Sequence, residues 1–133
     1  MIVDTSALVA VTLQASGFEG LITVLEGSPF SGIGTPTLVE TGIVLSACLG
    51  GGGGGGGGRE LVSQLLHEFG IVPVPFGDDH WREAIVAFER FGRGRHPASL
   101  NFGDCMSYAV ARLAAEPLLF VGDDFRATDI VAA

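Results

Sequence analysis

The chain has 133 residues, 47% of them hydrophobic, which is enough for one domain with a real core and argues against disorder. No apolar run approaches the roughly 18 residues that span a bilayer, and the N-terminus lacks the charged and apolar regions of a leader, so a cytoplasmic protein without membrane contact is expected. A formal charge of −8, with all seven basic residues Arg, weighs against a nucleic-acid binder, because phosphate contacts come from basic side chains.

In chain order, residues 1–4 read as a short buried strand. "TSALVAVTLQ" reads as a helix capped by Thr5 or Ser6 that ends before Gly17, and "FEGLITVLEG" as a second amphipathic stretch. "SPFSGIG" is a weak strand. "TPTLVETGIVLSACL" then opens with a helix-start signature, Thr35 as cap and Pro36 in the first helical position. "RELVSQLLHEFG" is helical with Gly70 as terminator, "IVPVPF" is strand-like, and "DDHWREAIVAFERFG" is a helix capped by Asp78. After the Arg-rich "RFGRGRH" comes the helix "NFGDCMSYAVARLAAE", stopped by Pro117; "LLFVG" is a buried strand, and "DIVA" a short last one. Strands alternating with helices imply an α/β fold with a parallel sheet covered on both faces, in one domain over residues 1–133. The nine glycines Gly50 to Gly58 read as flexible coil and receive no function. Cys48 and Cys105 fit no paired spacing and read as small buried thiols.

In open parallel sheets, ligands gather beyond the carboxyl ends of the strands. Asp4 ends the first strand, and Asp123 and Asp124 follow "LLFVG"; if those strands are neighbours, their acids share one rim. Glu40 shares a helical face with Ile43 and Val44, poor company for a solvated acid, and Asp104 lies beside an apolar stripe in the first turn of its helix. Each acid alone has a plain role in capping or turn formation. Gathered, they raise one another's pKa and need a cation. An all-oxygen cluster without Cys or His selects Mg²⁺ or Mn²⁺, a combination suited to phosphodiester hydrolysis. The ion also answers the charge objection, since half the formal −8 then belongs to the metal site. RNA could approach along the patch of Arg90, Arg93, Arg95 and His96.

These residues resemble the PIN domain, and within it the VapC toxins of bacterial toxin and antitoxin pairs. The matching pieces are "MIVDTSAL", "TLVETGIVL" with Glu40, "LNFGDCMSYAVA" with Asp104, and "PLLFVGDDFRATDI", in the family's order and spanning nearly the whole chain apart from the glycine run. The resemblance implies a PIN-like three-layer sandwich and a Mg²⁺- or Mn²⁺-dependent ribonuclease acting in bacterial cells. It also implies a homodimer inhibited by a VapB-type antitoxin. Asp4, Glu40 and Asp104 match the core acids; the fourth falls on Asp123 or Asp124, with Asp123 preferred as the first after the strand. Thr5 and Ser6 either position water or phosphate or cap the helix, Arg93 and Arg95 would guide RNA, and Asp129 in "TDI" also matches the family's pattern, with a structural role as the other reading.

Other chemistry fits less well. A phosphoaspartyl domain wants a second acid two residues after Asp4, where Ser6 stands, or a late Lys, and the chain has none. No GxSxG, dinucleotide fingerprint or P-loop lysine is present. The alternative from another class is a non-catalytic PIN-like module that binds RNA or protein.

Overall fold

A computed structural model describes residues 1–49 and 57–133. The elements are β1 (Ile2–Val3), α1 (Thr5–Thr12), α2 (Phe18–Gly27), β2 (Ser31–Gly34), α3 (Thr35–Leu49), α4 (Gly57–Glu68), β3 (Ile71–Val74), α5 (Asp78–Phe91), α6 (Phe102–Ala114), β4 (Leu118–Leu119) and a 3-10 turn over Asp124–Ala127. The strands form one sheet in the order β3-β2-β1-β4, and every pairing is parallel.

Side chains alternate across a strand, so successive apolar residues feed opposite layers. Met1, Val3, Ile33 and Leu119 pack against α1 to α4 on one face. Ile2 and Leu118 pack against α5 and α6 on the other. The result is the three-layer sandwich that the alternation of elements implies. Glycine in β2 lets the second layer settle close, because a Cβ on Gly34 would stand 2.9 Å from Val110 Cγ2 of α6.

Local differences from the sequence reading have simple causes. The side chain that caps α1 is Asp4, which accepts the Ser6 N–H, so the capping role open to this acid is the one realised and neither Thr5 nor Ser6 is the cap. The cap of α5 is Gly77, whose N–H donates to His80 Nδ1, so Asp78 becomes the first helical residue. Gly57 and Gly58 of the glycine run are helical, with Gly58 buried where α4 crosses Gly42 of α3; the coil reading of the other seven glycines lies outside the described residues. Cys105 is buried as expected, but Cys48 is exposed, because it lies on the outer side of α3. The short last strand reduces to a bridge from Leu118 to Ala132.

The C-terminal segment is tied down by one buried aromatic. Tyr108 packs its ring on Phe91 at 5.7 Å and donates its hydroxyl to Asp129 Oδ1 at 2.6 Å, while Arg90 Nη2 donates to Asp129 Oδ2 at 2.9 Å. Burial pushes the Tyr108 hydroxyl up to about 12, so it remains a donor at physiological pH. Tyr108→Phe deletes this bond and leaves Asp129 with Arg90 alone. We expect a loss of about 1–2 kcal/mol in urea unfolding, with the fold unchanged by circular dichroism.

Candidate active site

The strand order puts β1 between β2 and β4. Asp4 directly follows β1, α3 follows β2, and the segment carrying Asp123 and Asp124 follows β4, so the acids from these elements share the carboxyl rim of the sheet. The Asp4 N–H donates to Leu119 O at 2.9 Å, which holds the rim together at its centre.

Asp4 is only 5% exposed, and a carboxylate so buried needs donors. Ser6 supplies two of them to Oδ2, its N–H at 2.9 Å and its hydroxyl at 2.6 Å. Ser107 of α6 donates to Oδ1 at 2.6 Å. The Ser6 oxygen in turn accepts the Val121 N–H at 3.0 Å, linking Asp4 to the segment after β4.

Glu40 reaches the rim from α3. Its Oε2 accepts the Thr5 hydroxyl at 2.7 Å, and Thr5 also contacts Thr41 Oγ1 at 3.1 Å. Thr41 donates back to Thr37 O at 2.7 Å. The Glu40 carboxylate lies directly over Gly103 in the first turn of α6, where any Cβ would collide with it. The apolar company that the sequence assigns to Glu40 is real but faces outward, since Ile43 is exposed.

Asp104 and Asn101 form a reciprocal cap at the start of α6. The Asn101 N–H donates to Asp104 Oδ2 at 2.7 Å, and the Asp104 N–H to Asn101 Oδ1 at 3.0 Å. Burial pushes the Asp104 carboxyl up to about 6, against the pull of the Asn101 N–H and helped by the negative charges of Asp4, Asp124 and Glu40. Asp124 therefore acts on Asp104. Asp123 points away, 96% exposed and paired with Arg126 at 3.2 Å.

Among the described residues, no three of His, Cys, Asp or Glu stand close enough together to hold a metal ion. The quartet is thus looser than a closed cage, because each of Asp4, Glu40 and Asp104 is anchored to its own donors. The donor chemistry fits a hard ion all the same. The set is all oxygen, like charge is uncompensated at Asp104, and Mg²⁺ takes one or two carboxylates and keeps its waters.

In the basic patch, Arg90 is committed to Asp129, and His96 accepts from the Ala98 N–H and packs edge-on against Phe91. Arg93 and Arg95 form no ion pair among the described residues. Their loop is closed by Arg93 N–H to Leu100 O at 3.0 Å, and it runs straight into the Asn101 cap.

The sequence reading missed Thr37, Thr41 and Ser107, all buried. A signal was present: hydroxyls one turn apart on α3, and one a turn after Asp104 among apolar neighbours, are polar groups a core admits only with a partner.

The PIN domain model matches residues 1–131 of the chain. Ribonuclease VapC of Mycolicibacterium smegmatis is 40% identical over 99% of this chain and 98% of its own. Ribonuclease VapC42 of Mycobacterium tuberculosis is 45% identical over 98% and 96%. Among solved structures, Mycobacterium tuberculosis VapC20, a sarcin-ricin loop cleaving toxin, superposes with a TM-score of 0.76 at 17% identity over 99% of this chain and 97% of that one. A toxin-antitoxin complex from Klebsiella pneumoniae gives 0.69 at 16% identity over 99% and 95%. At such identities these two superpositions speak for the fold alone.

The environment of Asp104 sets a pH dependence in the metal-free chain. Its carboxyl titrates near 6 when folded and near its ordinary 3.8 when unfolded, so the native state binds the extra proton between those values. Stability then falls as pH rises through this window and loses nothing further above it. We expect Asp104→Asn to match the parent near pH 4 and to melt higher above pH 6, measured by thermal unfolding in EDTA.

Proposed function

The chain belongs to the PIN domain family, and from that membership we propose that it is the toxin of a VapBC-type pair, an endoribonuclease that hydrolyses RNA phosphodiester bonds in the cytoplasm with Mg²⁺ or Mn²⁺. The observation that carries this reading is the buried Asp4 carboxylate at the centre of the rim, with Glu40, Asp104 and Asp124 near enough that their charges act together on Asp104. We place the ion among Asp4, Glu40, Asp104 and Asp124, one or two of them binding it directly and the others reaching it through its waters. Asp124 takes the fourth place ahead of Asp123, because its charge reaches Asp104 while Asp123 is turned to Arg126. When bound, the ion supplies a water of lowered pKa and neutralises charge on the phosphate.

The protein's own groups divide the remaining work. Ser6 and Ser107 hold Asp4, and Thr5 holds Glu40, so their hydroxyl protons already point at carboxylates. On this reading Thr5 and Ser6 serve the acids and RNA contact falls to Arg93 and Arg95, a role supported by guanidinium groups with no acid partner in the described residues. Both proposed protein partners, the antitoxin and a second copy in a homodimer, require apolar surface. Val39 and Ile43 of α3, Phe102 of α6 and Trp81, Ile85 and Phe88 of α5 supply it.

Cleavage of a labelled RNA with Mg²⁺, with EDTA, and with Asp4→Asn tests the reading against a binding-only module. We expect cleavage only in the first condition, with the variant folded. An Asn variant that cuts as well as the parent overturns the assignment. For the RNA path, Arg93→Ala with Arg95→Ala should weaken RNA binding and flatten the log–log salt slope by about 1.4, the loss of two single-strand phosphate contacts. An unaltered slope removes both arginines from the path.

A further inference from the structure

A hydroxyl fully buried in an apolar helix is costly unless it is paired, and Ser107 is such a group on α6. It stands one helical turn after Asp104. Its oxygen lies 2.6 Å from Asp4 Oδ1, and a carboxylate can only accept, so the single Ser107 proton goes to Asp4. The 3.2 Å contact between Ser107 Oγ and Thr37 Oγ1 must then use the Thr37 proton. The direction of the chain is fixed: Thr37 donates to Ser107, and Ser107 donates to Asp4.

Lone-pair bookkeeping shows what this achieves. A carboxylate offers about four acceptor positions, two on each oxygen. On Oδ2 both are filled, by the N–H and the hydroxyl of Ser6. On Oδ1 one is filled, by Ser107. The position left open is on Oδ1, the oxygen that Ser107 grips. Asp4 and Asp104 are a hundred residues apart in sequence, and Ser107 is the side chain that ties the helix of one to the carboxylate of the other.

We propose that Ser107 is a positioning residue for the reaction: its hydroxyl, oriented by Thr37, holds Asp4 against α6 so that the unfilled acceptor of Oδ1 is presented beside Asp104. This inference rests on the reading of the acids as a metal-dependent nuclease site. Groups behind a metal ligand commonly carry a tenfold to hundredfold effect on ion affinity, although they touch neither ion nor substrate.

The test measures Mn²⁺ binding by titration calorimetry and RNA cleavage on the full chain, for the parent, Ser107→Ala, Thr37→Val and Thr37→Ser. Ser107→Ala should weaken Mn²⁺ binding by about tenfold to about a hundredfold and lower kcat, with KM for RNA held within about twofold. Thr37→Val removes only the brace at nearly constant volume and should move Mn²⁺ affinity and kcat in the same direction by less, whereas Thr37→Ser should restore the parent values. A Ser107→Ala chain that binds Mn²⁺ within about threefold of the parent overturns the inference, whatever its melting temperature, because a merely structural hydroxyl leaves ion affinity alone. If Ser107→Ala does not fold, the Thr37 pair decides: equal Mn²⁺ affinity in Val and Ser overturns the inference, and a deficit confined to Val supports it. A parent chain that binds no Mn²⁺ overturns the nuclease reading itself, an outcome distinct from a parent that binds while its variants do not differ.

Discussion

A single buried carboxylate sets the terms for this molecule. Asp4 sits at the end of the strand flanked by parallel neighbours on both sides, where water is excluded and a negative charge survives only among donors. Those donors come from the following turn, through Ser6, and from α6, through Ser107. Thr37, Thr41 and Thr5 continue the same hydroxyl belt to Glu40. The belt binds α1, α3 and α6 to one point, so the layers of the sandwich and the geometry of the acids are one problem with one solution. A core that satisfies Asp4 is already a core that aligns the rim.

Much of this was legible in the residues. The run "MIVD" places an acid at the end of a strand too apolar to be anything but buried, and the alternation of elements leaves a parallel sheet as the fold; β1 and β4 are neighbours, as sharing a rim requires. The family motifs then span the chain, and the PIN domain model covers residues 1–131. What periodicity does not carry is side-chain direction in loops. Two successive acids after β4 look alike in sequence, yet one turns to Arg126 and the other acts on Asp104, a choice made by the 3-10 turn that begins at Asp124. The hydroxyls escaped notice for a related reason. Ser and Thr are ordinary in helices, and only the contacts across α1, α3 and α6 show which of them spend their protons on carboxylates.

Charge is segregated along the same lines. The chain is acidic overall, but two of its rim acids, Asp4 and Glu40, are drawn inward by the belt. The arginines of the loop after α5 that form no ion pair among the described residues stand just before the helix that bears Asp104. Arg90 and Tyr108 meanwhile fix Asp129 and the C-terminal segment that follows the acids. An acidic chain can thus keep a local basic approach beside a negative centre, and net charge alone is a poor guide to what such a surface meets.

The margins of the sheet carry a last consequence. Beyond β4, Leu118 exchanges backbone bonds with Val131 and Ala133, so that side is already occupied. Beyond β3 the strand includes Pro73, which has no N–H to offer a newcomer. Among the described residues, both margins are therefore less open to an added strand, a common hazard of small sheets. A chain meeting these margins would find few backbone groups free to bond, which leaves the helix side chains as the surfaces it could use.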